Sequence, residues 1–549
     1  MKATPPFAEL ILFNGRFYTL DDEIPRAQAV AIKNGRIVAI GDNAEVTAMA
    51  ARGTVKIDLG ERTVLPGLID SHFHFYTWAV GLRELELSRA DSLRALLDQV
   101  THAAAQRPAG EWIIGQGWNE ADWPQAIMPT RSQLDAAAPD HPVALWRCDL
   151  HLAVVNSAAM QRAGIDRNTP DPPDGQFERT PSGRLTGILR ELASNRIKAV
   201  IPEPVDGEVV EWMQKGVVRL HKLGLTGVHD IRLMGGLEGP AALRAWQILN
   251  ERGELELRCW VSLPGEQLEQ MAALGLRSGL GDDRLRIGHL KYFADGGMGA
   301  RTAWVLEPYH DADLGMPLIP MDQLMRRIRT AERTGLAVIV HAIGDRANRE
   351  TITIFEDLQK TRRNGESDGV APPALPHRIE HAQFIRSEDI ERLARLKMAV
   401  SVQPHNMILD MNMIDACVGD RARWAYPYQE MVTAGVPLIL SSDAPVCDPS
   451  PWVGIHAAVT RQRKDGTPAG GWYPRHRISV ESAVRGYTTA PAAFYGRLHE
   501  LGSISLGKFA DLVVLDRDIF RVDPMAIAET TVLMTLFNGR VVFRHASMD

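Results

Sequence analysis

Cysteine is scarce: four residues in 549, at Cys148, Cys259, Cys417 and Cys447, scattered and without a CxxC pair. That rules out a disulfide framework and leaves the pattern of reduced, structural thiols in a cytoplasmic protein. No apolar run is long enough to span a bilayer. The opening MKATPPFAELILFNGRFYTLDD is interrupted by Asn14 and Gly15 and lacks the charged region and cleavage site of a signal peptide. No basic cluster is present and the formal net charge is -7, so neither nucleic acid nor an anionic membrane is expected as partner. Low-complexity tracts are missing as well. What remains is an ordinary globular composition, in a chain whose length predicts two to four structural units.

Three Asn-Gly pairs stand between short apolar or β-branched runs: Asn14-Gly15, Asn34-Gly35 and Asn538-Gly539. Each carries the strongest local signal for a tight type I′ hairpin. Two lie near one end of the chain and one near the other. Isolated hairpins are only marginally stable, so the reading is one β-sandwich domain from residues 1–65 plus 498–549, joined by FADLVVLD at 509–516.

Between these ends run eight short apolar segments, many closing on a polar residue. They are 63–74, 223–230, 256–263, 285–296, 335–345, 376–384, 398–405 and 435–445. Most precede a stretch of helical periodicity, such as MDQLMRRIRTAERTG at 321–335. Continuous apolar strands alternating with helices indicate a parallel sheet, and eight fit a closed (β/α)8 TIM-like barrel over 66–497. The first gap is too long for a crossover, and residues 80–215 are read as an inserted lobe over the barrel mouth.

The ends of these strands carry the chemistry. His72 and His74 are two apart and so face the same way, into the barrel. Lys291 ends the fourth strand, His341 the fifth, His381 the sixth, and Asp443 follows the eighth. Barrels of this type build their sites at these ends, and four imidazoles with one carboxylate suit a borderline divalent metal such as zinc. A lysine there is costly as an ammonium. Deprotonated, it can add CO2 to give a bridging carbamate; otherwise it binds substrate or pairs with Asp295. His289 is read as a core histidine.

Here the sequence resembles the amidohydrolase superfamily. PGLIDSHFH matches its first-strand metal motif and SSDAP its eighth-strand aspartate. EWIIGQGW, LWRCDLHLAVVNSAAM, LKYFADGGMGARTA, VHAIGD, RIEHAQ, VQPH and GSISLGKFADLVVLD extend the likeness to the branch that includes N-substituted formamide deformylases. The resemblance implies two divalent ions, with zinc the expected metal. His72, His74 and Asp443 would hold one, His341 and His381 the other, with carbamylated Lys291 between them. It further implies that metal-activated hydroxide attacks a non-peptide C–N bond, in an amide or an N-formyl or N-acyl amine. Asp443 would act as general base and then general acid.

Around the mouth, Trp118, His151 and Arg301 are the substrate-binding expectations, and a small molecule is the expected partner. Trp118 and Trp123 alternatively pack the lobe's own core, and Arg301 alternatively pairs with a neighbouring acid. Asp230 and Asp345 are read as hydrogen-bond partners or helix caps. GSISLGKF nearly spells a phosphate-binding loop, but Phe509 replaces the required hydroxyl residue and a strand follows. Three competing readings stand beside the amide hydrolase: a mononuclear deaminase, an ester or lactone hydrolase, and an inactive binding or regulatory protein. Barrels of this kind often dimerise, so a homodimer is one admissible assembly.

Overall fold

The computed structural model describes residues 7–120, 123–147, 152–172, 175–202, 204–233, 238–364 and 371–548. The chain divides into two compact units, 1–78 with 213–549 and 79–212.

The larger unit holds the eight-stranded parallel sheet. Its strands are β1 (Leu68–Phe73), β2 (Leu225–Asp230), β3 (Arg258–Pro264), β4 (Leu285–Phe293), β5 (Val338–Ala342), β6 (Arg378–His381), β7 (Ala399–Val402) and β8 (Leu438–Leu440), paired in sequence order. These are the eight apolar segments of the sequence. Covered on both faces, such strands read as continuous apolar runs rather than as alternating ones. Helices separate most of them. The helix Met321–Thr334 stops at Gly335, whose φ of 79° supplies the left-handed cap. β8 returns to β1 just beyond the strand ends. There Asp443 N–H donates to the His72 carbonyl and His74 N–H to that of Ala444, both at 2.8 Å. The Asp70 carboxylate also accepts from the Ser442 amide at 3.1 Å.

Both chain ends build two further sheets. One pairs Leu10–Phe13 with Ala29–Lys33 and Val55–Asp58. The other places Leu512–Leu515 between Thr63–Pro66 and Val532–Phe537. Leu12, Phe17, Val30, Ile32, Val64, Leu512, Val514 and Leu536 form their common core. Asn34-Gly35 and Asn538-Gly539 have positive φ at both residues, as type I′ turns require. Asn14-Gly15 corrects the hairpin expectation: only Asn14 is left-handed, and the runs on either side enter different sheets. Asp511, just before the central strand, accepts two hydrogen bonds from buried Arg258 of β3, at 2.6 and 3.1 Å.

The smaller unit is built on a six-stranded sheet in which Ile113–Trp118 and Val143–Arg147 are parallel neighbours. The helix Leu93–Ala105 packs Leu96 and Val100 on that sheet and is capped by the Ser92 side chain.

Candidate metal centre

His72 and His74 project from the end of β1 with ring centroids 5.4 Å apart. The backbone bonds that close the sheet carry Asp443 to them. Its Oδ1 lies 3.1 Å from His74 Nε2 and 3.4 Å from His72 Nε2. His381 ends β6 with its ring 4.9 Å from that of His72 and 4.5 Å from that of His341 on β5. Ligand atoms of His72, His381 and Asp443 all lie within 4.8 Å of one another. His381, Ala382 and Asp443 have φ of 71°, 40° and 63°. Left-handed backbone at non-glycine residues costs about 1–3 kcal/mol each and is held only where surrounding structure imposes it.

Each of three rings has its Nδ1 committed. His72 Nδ1 is 2.6 Å from Glu380 Oε2, His74 Nδ1 is 2.9 Å from the Ile231 carbonyl, and His381 Nδ1 is 2.8 Å from Gln403 Oε1. All three partners accept, so each ring donates from Nδ1, and a neutral ring bonded in this way keeps its lone pair on Nε2. Burial lowers the His72 pKa to about 4 and that of His381 to about 3, and holds His341 well below its ordinary value. Neutral imidazole is the form that binds a metal. Burial pushes the Asp443 carboxyl up, but His72, His74 and His381 outweigh it and hold the group well below the usual carboxylate range. Asn406 Nδ2 donates to Asp443 Oδ2 at 3.3 Å, leaving Oδ1 toward the histidines.

Lys291 is buried on β4. Its Nζ has no hydrogen-bond partner among the described residues and lies 4.8 Å from the Phe293 ring centroid. Burial brings its pKa down to about 8. The proposed pairing with Asp295 is not made. That carboxylate accepts from the backbone amides of Ile343, Gly344 and Trp304 at 2.8–2.9 Å. Neutral imidazoles at His72, His341 and His381, an ionised carboxylate and a buried amine without a hydrogen-bond partner among the described residues fit a zinc-like divalent ion.

The substrate expectations fare differently. Trp118 is fully buried in the core of the smaller unit and donates from Nε1 to the Leu145 carbonyl at 3.3 Å. This corrects its assignment to substrate, because a side chain closing a core has no face to offer. The Arg301 guanidinium makes the ion pair of its alternative reading, a two-point contact with Asp311 at 2.8 and 2.9 Å. His151 lies outside the described residues. His289 packs flat on Phe494 and bonds the Pro376 carbonyl, away from the ligands. Asp230 and Asp345 accept hydrogen bonds from Phe75 N–H and Leu306 N–H, among others.

Sequence reasoning missed Glu380, Gln403 and Asn406. Glu380 had a signal, since an acid inside the wholly buried run RIEH needs a partner. Gln403 and Asn406 had none beyond their place after β7.

A parallel eight-stranded barrel with imidazoles and a carboxylate converging at its strand ends defines the metal-dependent hydrolase class. Residues 56–543 match the amidohydrolase family, and the chain belongs to that family, as a hydrolase acting on carbon–nitrogen bonds. It is 31% identical to YtcJ of Bacillus subtilis (strain 168), over 97% of this chain and 99% of that protein. It is 28% identical to an N-substituted formamide deformylase of Arthrobacter pascens, over 97% of both. An uncharacterized metal-dependent hydrolase from Pyrococcus horikoshii OT3 superposes with a TM-score of 0.77 at 28% identity, covering 94% of this chain and 99% of that one.

Proposed function

We propose that this protein hydrolyses an N-formyl or other N-acyl amine at a two-metal centre held by His72, His74, Lys291, His341, His381 and Asp443. The observation that carries the reading is the convergence of His72 and His381 on Asp443, with Lys291 electrostatically coupled to that carboxylate and its Nζ without a hydrogen-bond partner among the described residues. A lysine brought down to about 8 has a sizeable neutral fraction at pH 7.5, the form that adds CO2. As a carbamate it would bring negative charge where an ammonium would repel cations. The metals, when bound, lower the pKa of water and polarise a carbonyl.

The chain's own groups supply the proton transfers. Asp443, ionised and fixed by Asn406, accepts a proton from the attacking water. It returns that proton to the nitrogen as the C–N bond breaks, so the products are a carboxylic acid and a free amine. The Nδ1 hydrogen bonds to the Ile231 carbonyl and to Gln403 hold the His74 and His381 rings in place.

One observation favours a mononuclear alternative. The tight cluster of His72, His381 and Asp443 draws one ligand set from both expected metals. On that reading Lys291 contacts substrate instead.

Metal content measured on protein purified with bicarbonate and without chelator separates the two. About two ions per chain, falling on Lys291→Ala, is expected, together with turnover of N-formyl or N-acyl amines. About one ion, unchanged by that substitution, would favour the mononuclear site. Turnover confined to aminopurines or lactones would overturn the amide reading. We further expect the protein to work in the cytoplasm, supported by the buried, unpaired Cys259, Cys417 and Cys447. Among the described residues no helix is long and apolar enough to cross a membrane.

A further inference from the structure

Beneath the metal ligands lies a buried charged pair with no evident solvent role. Arg378 and Glu380 alternate on β6, both side chains fully buried, joined Nε to Oε1 at 2.6 Å. The other carboxylate oxygen, Oε2, meets His72 Nδ1 at 2.6 Å. Arg378 is itself held from three sides. Its Nη2 donates to the Ser71 carbonyl at 2.8 Å and to His229 Nδ1 at 3.3 Å, and its Nη1 donates to the Tyr495 hydroxyl at 3.3 Å. The guanidinium is fixed to β1 and β2 and to the segment after the barrel, so the carboxylate it holds cannot swing.

A buried ion pair is weak evidence for stability, because desolvation offsets most of the attraction. Well-packed apolar side chains would fill this layer as well. The placement of the pair therefore points to the group it touches.

We propose that Glu380 is a positioning residue, held by Arg378, that fixes His72 in its Nδ1–H tautomer and so keeps the Nε2 lone pair turned toward Asp443. The inference rests on the metal-centre reading above. His74 and His381 have uncharged acceptors, a backbone carbonyl and a glutamine amide. His72 alone among the three has a carboxylate, which strengthens the ring as a donor. Glutamate is needed because two donors, Arg378 Nε–H and His72 Nδ1–H, converge on its two oxygens. A carboxamide in its place has one oxygen for both. Turned either way, its NH2 faces Arg378, donor against donor, or faces His72 and drives the ring to the Nε2–H tautomer.

The test compares wild type with Glu380→Gln in two measurements. The first is zinc affinity by competition with a chromophoric chelator. The second is the ring-nitrogen NMR of histidine-labelled, metal-free wild type, with His72 identified by the signal lost in His72→Asn. Expected are an Nδ1–H tautomer at His72 and zinc binding weakened about 10- to 100-fold in Glu380→Gln. An Nε2–H tautomer in wild type, or wild-type affinity in the folded variant, would overturn the proposal. Should Glu380→Gln fail to fold, the wild-type tautomer decides alone. Wild type that takes up no zinc fails the metal reading, and the tautomer still decides the role of Glu380.

Discussion

His377, just before β6, accepts the Val338 amide at Nδ1 (3.0 Å) and faces Glu332 with Nε2 (2.9 Å). Here both nitrogens serve structure, in contrast to the rings at the strand ends. Burial raises the Glu332 carboxyl, but His377 and Arg362 outweigh it and bring the group down to about 2. A depressed acid stabilises the fold above its unfolded value, near 4.5, and that contribution is lost as pH falls toward 2. Burial also lowers His377. The unfolded chain therefore takes up that proton first, and acidification below about 6.5 costs stability there too. Melting temperatures of wild type and Glu332→Gln, measured across a pH series, should differ at neutrality and converge between pH 4.5 and 2. Curves that stay parallel would count against the pairing.

At the scale of elements, the barrel strands were readable because burial on both faces leaves runs such as VIVHA without alternation. Period two then told which residues face inward, and this is why His72 and His74 were legible together. What local pattern could not tell was pairing. The first run, 63–74, splits at Gly67 between two sheets, and Asn14-Gly15 separates two sheets where a hairpin was expected. Nor could it tell which partner a side chain meets across the chain. Glu380 acts on His72 from 308 positions away, and Trp118 and Arg301 found local partners first. The two real type I′ turns lie against each other. A Cβ on Gly539 would sit 2.8 Å from Ile32 Cγ2 and 3.0 Å from Gly35 Cα, at a φ of 75°. Gly539→Ala combines overpacking with an unfavourable backbone and should cost about 1–3 kcal/mol in urea unfolding. A neutral result would mean that the turns separate freely.

For the larger unit as a whole, the Arg258–Asp511 pair bolts the barrel to the sheet made by the chain ends. Both side chains are nearly inaccessible, so Asp511→Ala leaves a guanidinium charge buried without its counterion. Such a loss costs about 3–5 kcal/mol. The melting temperature should fall accordingly, whereas replacing the exposed partners Arg326 and Asp322 should change little. An unshifted midpoint in Asp511→Ala would show that water reaches Arg258.

The same sheet has a consequence for biosynthesis. Thr63–Pro66 finds its antiparallel neighbour only in Leu512–Leu515, some 450 residues later. At roughly 5–20 residues per second, a ribosome needs about 20 to 90 seconds to deliver it. Throughout that interval the nascent chain carries an unmatched strand edge, a template for mispairing with neighbouring polypeptides. Vectorial synthesis thus makes the arrival of Leu512–Leu515 the step that matches this edge, and gives chaperones a defined window in which to act.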